Sequence, residues 1–151
     1  MTPDSAIIRL HELPSDRLAG LVAEAEAAGH RFVRRLVNEW ESGSNRFARP
    51  GEAFFAAVAD GRVVGVCGLN IDPYLTDRHV GRVRHLYVLA ESRRRGIGRR
   101  LVAEVIAAAR GRFDRLRLRT ESEAAARFYE ALGFRPCRGV PACTHLLDLE
   151  A

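Results

Sequence analysis

The segment from Glu91 to Val102, ESRRRGIGRRLV, sets five arginines around two glycines directly ahead of an apolar pattern with helical spacing. Residues of those types at a helix start make an anion site. The first-turn N–H groups of a helix have no internal acceptor and lie at the positive end of its dipole. Gly96 and Gly98 leave that backbone open, since a side chain at either place would keep a phosphate or pyrophosphate away. Arg93, Arg94, Arg95 and Arg99 supply counter-charge. All 24 basic residues are arginine, which removes phosphate loops built on a Gly-Lys pair. Backbone amides and guanidinium groups must therefore hold the anion. A dinucleotide fingerprint Gly-x-Gly-x-x-Gly is discounted because its third position is Leu101 and the preceding strand comes late in the chain.

The other reactive residue types form no such cluster. Cys67, Cys137 and Cys143 are odd in number and irregularly spaced, so reduced thiols are expected and a disulfide framework is not. Cys143 and His145 lack a second pair at ligand spacing, and no metal site is expected. The net charge of +5 suits nucleic acid, an anionic cofactor or plain solubility. Aromatic residues are only 7% and fall at core-like positions, unlike the exposed platforms of single-strand binders. No nucleic-acid partner is expected.

The elements that must position the glycine segment follow from periodicity. The 151 residues fit one domain, 1–151. Ala6–Leu10 reads as a first strand, and Ser15 opens a helix that Gly29 stops. Val33, Leu36, Val37 and Trp40 mark one face of a second helix. Residues 52–70 form two β-rich runs joined by Asp60-Gly61, an antiparallel hairpin. Residues 81–90 are a central strand, and a helix runs from Ile97 to Gly111. Residues 115–119 alternate like a strand. A helix over 122–134 buries Ala125, Phe128 and Leu132, and 143–150 is the last strand. No apolar run approaches the roughly 20 residues of a membrane span, and the N-terminus has no apolar signal core. A soluble cytoplasmic protein without membrane partners is expected.

Strand HLYV, then RRRGIG, then a long amphipathic helix and, later, ARFYEALGF: this order over residues 81–134 resembles the GCN5-related N-acetyltransferase (GNAT) family. The family pattern Gln/Arg-x-x-Gly-x-Gly/Ala is matched by Arg93, Arg94, Arg95, Gly96, Ile97 and Gly98. The resemblance implies an α/β fold whose mixed, mostly antiparallel central sheet is flanked by helices on both faces. It implies acetyl-CoA as cosubstrate, an amine as acceptor and, as in many such domains, a homodimer. Backbone groups of Leu86, Tyr87 and Val88 would pair with the pantetheine arm, and amides from Arg94 to Arg99 would hold the pyrophosphate. Tyr129 matches the family tyrosine near the cofactor sulfur. Where the family often has asparagine, seven residues before that tyrosine, this chain has Ser122, whose shorter side chain also suits a helix N-cap.

Acetyl transfer to an amine needs a neutral nucleophile, yet an alkyl ammonium has a pKa near 10.4. A proton acceptor is required, and the leaving thiolate gains from an acid within hydrogen-bond reach. Tyr129 is the expected acid. His85, in the central strand, and His79, in the preceding loop, are candidate bases, beside a water chain ending on a backbone carbonyl. The polar stretches 40–52 and 70–79 offer Asn45, Arg46, Asp72 and Tyr74 as acceptor contacts. Arg82 and Arg84 favour an acceptor with a carboxylate or phosphate if they face the cleft. The alternative to an enzyme is an acyl-CoA-binding sensor or scaffold that transfers nothing.

Overall fold

The computed structural model describes residues 5–149. In chain order it contains β1 (Ala6–Arg9), α1 (Ser15–Ala27), α2 (Phe32–Ser42), β2 (Ala53–Ala59), β3 (Arg62–Ile71) and β4 (Val80–Val88). A short 3₁₀ turn (Ala90–Ser92) then leads to α3 (Ile97–Ala109), β5 (Arg115–Leu118), α4 (Glu123–Ala131), β6 (Arg135–Pro136) and β7 (His145–Asp148). The seven strands form one sheet in the order β1-β2-β3-β4-β5-β7-β6. Every neighbouring pair is antiparallel except β4–β5.

The local chemistry accounts for most of these boundaries. Asp60 and Gly61 both take positive φ, 52° and 73°, as the tight turn between β2 and β3 requires. Gly43 ends α2 in the left-handed conformation at φ 85°. The apolar stripes bury as their spacing dictates: Leu18, Leu21, Val22 and Ala25 on α1, Val33, Leu36, Val37 and Trp40 on α2, and Ile97, Leu101, Val102, Val105 and Ala109 on α3.

Helices cover both faces of the sheet. A Cβ on Gly65 would meet Leu101 and Ile97 of α3, whereas one on Gly68 would sit 2.4 Å from the Phe47 ring that follows α2. The two glycines lie on opposite faces of β3 by strand alternation. Gly68 therefore lets Phe47 press against the sheet on the α1–α2 side.

Three details differ from the sequence expectations. The central strand stops at Val88, because the chain turns through the 3₁₀ segment before α3. A two-residue strand, β6, pairs with β7 and was not legible as a strand. On α4 it is Tyr129 that is buried, while Ala125, Phe128 and Leu132 are only half-buried. α4 lies at the margin of the core, so its stripe is shared with the cleft rather than sealed.

Candidate active site

The sheet opens at its centre. β4 and β5 pair only at Val80–Arg115, Gly81–Leu116 and Arg82–Arg117, so from Val83 onward the β5-facing edge of β4 has no ladder partner. Unpaired strand edges accept another extended chain. On its other edge, β4 carries a bulge: Tyr87 pairs with Val66 and Arg84 with Gly68, which leaves His85 and Leu86 opposite Cys67 alone. His85 sits at φ 60°, a left-handed conformation that costs a non-glycine residue roughly 1–2 kcal/mol.

The bulge resets the alternation. Arg84 reaches Asn70 Oδ1 at 3.5 Å beside the segment after α2, and the His85 ring packs 6.3 Å from Phe32 and 6.1 Å from Phe47. Two consecutive residues thus face the α1–α2 side. His85 is 8% exposed, and neither ring nitrogen has a hydrogen-bond partner among the described residues. Burial, and then the charges of Arg84 and Arg35, lower its pKa to about 3. A nearby Phe32 backbone group opposes this without hydrogen-bond geometry. The ring is therefore neutral near pH 7, which suits it to hydrogen bonding and makes it a weak sink for an ammonium proton. His79 is 73% exposed and contacts Asp77 Oδ1 at 3.4 Å; it lines a separate hollow with Arg78, Arg112 and Phe113.

At the far end of the open edge lies the start of α3. Gly96 is its left-handed N-cap, φ 78°, and no side chain caps the first turn. The first intrahelical bond runs from Arg100 N to Gly96 O at 3.0 Å, so the amides of Ile97, Gly98 and Arg99 precede it. Arg94 also takes positive φ, 65°. Two of the five arginines serve the protein itself: Arg93 Nε donates to Val88 O at 2.9 Å, and Arg100 donates to Ser5 Oγ and Ser5 O, both at 2.8 Å. Arg94, Arg95 and Arg99 are exposed and make no ion pair among the described residues. The two glycines differ in what requires them. Gly96 is fixed by its φ, while a Cβ on Gly98 would make only ordinary contacts, 3.4 Å to Phe128 and 3.8 Å to Val88.

α4 brings Tyr129 to the opposite side of the opening. Ser122 caps this helix, its Oγ accepting from Ala125 N at 3.2 Å. Tyr129 stacks edge-on between Phe128 and Phe134, with centroids 5.1 and 5.4 Å away. Burial raises its hydroxyl pKa, with Cys67 adding a smaller effect, so the phenol keeps its proton at neutral pH. Cys67, opposite the bulge, is itself pushed up to about 12 by burial. Adjacent Glu130 ties α4 to β7 through His145 Nε2 at 2.9 Å. That pairing was not legible in the sequence, because the two residues lie fifteen positions apart on different elements.

A cavity of about 490 Å³ opens beside the bulge on the α1–α2 side, lined by Glu39, Asn45, Arg46, Glu52, Asn70 and Arg84 among others. Glu52 organises one wall. Its Oε2 accepts from Asn70 Nδ2 at 3.0 Å and Ile71 N at 2.9 Å, and its Oε1 from Arg49 N at 3.1 Å. Asn45 and Asn70 exchange amide bonds at 2.9 and 3.0 Å. Arg46 Nε donates to Trp40 O at 2.8 Å, which holds the segment after α2.

Two expected acceptor contacts are corrected. Asp72 is 1% exposed and sealed between Arg82 at 3.3 Å and Arg117 at 3.4 Å. The Arg117 contact is an ion pair without hydrogen-bond geometry. Tyr74 is exposed, but its ring covers the Arg82 guanidinium at 4.6 Å and stays out of the cavity. Arg82 consequently faces Asp72 and Ala142 O rather than the cleft, while Arg84 lines it. Glu39, Glu52 and Asn70 were missed. Glu39 precedes Trp40 on a helix whose periodicity marks it as solvent-facing; Glu52 and Asn70 stand at the ends of the polar stretches 40–52 and 70–79, where these also meet the β-rich runs, and were not singled out.

The model of the acetyltransferase (GNAT) family matches residues 14–134. Aminoglycoside N(6')-acetyltransferase type 1 of Klebsiella aerogenes is 38% identical over 72 residues, which take in 46% of this chain and 47% of that protein, so the match spans about half of either. A solved acetyltransferase-like structure from Exiguobacterium sp. 255-15 is 32% identical, covers 96% of this chain and 93% of its own, and superposes with a TM-score of 0.85. N-acetylglutamate synthase of Neisseria gonorrhoeae, solved with coenzyme A and N-acetyl-glutamate, is similar in fold alone. It shares 21% identity at a TM-score of 0.71, over 100% of this chain and 36% of that one. No helix among the described residues is long and apolar enough to cross a membrane, and none of their His, Cys, Asp and Glu side chains form a group of three or more able to hold a metal ion.

Proposed function

The chain belongs to the acetyltransferase (GNAT) family, and from that premise we propose that it transfers acetyl from acetyl-CoA to an amine by direct attack in a ternary complex. The observation that carries this is the unpaired β4 edge beyond Arg82, which runs from the His85 bulge towards the uncapped, glycine-started α3. An extended amide-bearing arm fits the first, pairing with backbone groups of Leu86, Tyr87 and Val88, and a pyrophosphate fits the second. Arg94, Arg95 and Arg99 supply charge at its rim. Gly98, which the protein's own packing does not require to be small, leaves room for that anion. Ser122 is assigned to capping α4 rather than to the arm.

In the reaction the amine nitrogen attacks the thioester carbonyl carbon, and the carbon–sulfur bond breaks. The Tyr129 hydroxyl gives its proton to the departing sulfur, for which its raised pKa keeps it loaded. The ammonium proton leaves through water, since the buried neutral His85 holds it poorly. His85 keeps both ring nitrogens sealed beside Phe32 and Phe47, and its part is to shape the bulge rather than to touch the thioester. The Klebsiella aerogenes relative is named for an aminoglycoside, a polycationic acceptor that the arginines lining the cavity here do not favour. A reducing cytoplasmic setting accords with three free thiols.

Thermal unfolding with and without acetyl-CoA tests the cofactor half of this proposal, and thiol release with an amine panel tests the transfer. A ligand at about a hundred times its dissociation constant adds roughly 2.7 kcal/mol, which for a domain of this size is about 5–10 °C. Absence of any shift in folded protein would refute the reading. A shift without thiol release from any amine would favour a sensor.

A further inference from the structure

We infer that the acceptor is a small amine carrying its own anionic group, held with its ammonium on Glu39 and its anion on Arg84. The inference rests on the acetyltransferase reading and concerns the cavity beside the bulge.

Glu39 and Arg84 line the same cavity, yet neither is paired. Glu39 Oε1 is inaccessible to solvent and has no hydrogen-bond partner among the described residues. A buried carboxylate oxygen left without a donor is costly, and an ammonium supplies three N–H donors. Arg84 is half-buried; among the described residues its only hydrogen-bond contact is the neutral Asn70 Oδ1 at 3.5 Å, and no carboxylate pairs with it within 4.0 Å. The two have not collapsed onto each other: Arg84 is open to an anion as it stands, and Glu39, half-buried with Oε1 sealed, takes an ammonium once a side-chain rotation turns its carboxylate to the cavity.

The rest of the wall is already satisfied or favours an anion. The Glu52 carboxylate is occupied by Asn70 Nδ2 and two backbone amides, and Asn45 and Asn70 engage each other. Arg46 and Arg49 add positive charge to the same lining. Three guanidinium groups against one uncommitted carboxylate oppose a polycationic acceptor and suit one positive and one negative end. A volume of about 490 Å³ is that of a small-molecule site.

The test is thiol release at saturating acetyl-CoA with amino acids from α- to ω-amino, the matching amino amides, and aminoalkyl phosphates. The acids or phosphates are expected to exceed the amides in kcat/KM by roughly ten- to a hundredfold, the worth of a hydrogen bond to a charged group. In Arg84→Gln the acid-to-amide ratio should fall to about one, and Glu39→Gln should lower kcat/KM for acids and amides by similar factors. The wild-type ratio carries the test alone if a variant fails to fold. Amides or polyamines that match or beat the acids overturn the inference. So does an unaltered ratio in folded Arg84→Gln, or the absence of thiol release from the whole panel while acetyl-CoA still raises the unfolding midpoint. Absence of that midpoint shift removes the acetyltransferase reading as well.

Discussion

Replacing Asp72 by Asn removes the only negative charge from a buried cluster in which it faces two guanidinium groups. The side chains of Asp72, Arg82 and Arg117 are 0%, 7% and 6% exposed. Asp72 Oδ2 lies 3.3 Å from Arg82 Nη1 and 3.4 Å from Arg117 Nε, while Oδ1 accepts from Tyr74 N at 2.8 Å. An asparagine keeps the shape and the Tyr74 bond but turns an NH₂ towards two cations. Breaking a buried ion pair from one side costs about 3–5 kcal/mol, because the remaining charge is left uncompensated. At roughly 2–4 °C per kcal/mol, the unfolding midpoint should fall by about 6–20 °C. The same variant, assayed below its midpoint, should keep the wild-type KM for its acceptor, since Asp72 does not line the cavity. A triple replacement of Asp72, Arg82 and Arg117 by apolar residues of similar volume should recover part of the loss. A midpoint within 2 °C of wild type, or a normal midpoint with a tenfold higher acceptor KM, would refute the structural assignment and return Asp72 to the substrate site.

Gly96→Ala meets no atom within 4 Å, so its cost is conformational, roughly 1–2 kcal/mol for a residue with φ 78°. Thermal unfolding should show a drop of a few degrees with the acetyl-CoA shift retained, whereas Gly96→Glu should abolish that shift. Tyr129→Phe should keep the fold and the shift but lower kcat by 10²–10⁴-fold, the usual worth of a general acid; a loss below threefold counts against the role. His85 gives the fold a pH dependence. Its folded pKa, about 3, lies below the unfolded 6.5, so between those values the unfolded chain binds one more proton. Stability then rises with pH across this window, by up to about 1.4 kcal/mol per unit. This contribution is complete above pH 6.5 and lost towards pH 3. Midpoints measured against pH for wild type and His85→Gln should diverge in this window, and parallel curves would exclude the effect.

How much was legible depended on how local each signal was. Helix stripes, the Asp60-Gly61 turn, the Gly96 helix start and the Ser122 cap each need only a few adjacent residues, and their physics is the same in any fold. The sequence determined these because a 3.6-residue period, a positive φ and a capping oxygen are properties of the chain itself. The order of elements around RRRGIG was likewise enough to indicate the family and the sheet.

What the tertiary structure alone decided is which side chain faces which partner. The bulge opposite Cys67 puts Arg84 and His85 on one face, and no pattern along VRHLYV announces it. Asp72 looked like a polar loop residue, yet β4 and β5 bring Arg82 and Arg117 onto it from ten and 45 positions away. Glu39, on the polar face of α2, is half-buried with its Oε1 sealed, although its helical position marks it as solvent-facing. In each case the deciding term is burial and the long-range pairing it forces, because an exposed charge is solvated by water wherever it lies, while a buried one must be answered by a particular neighbour.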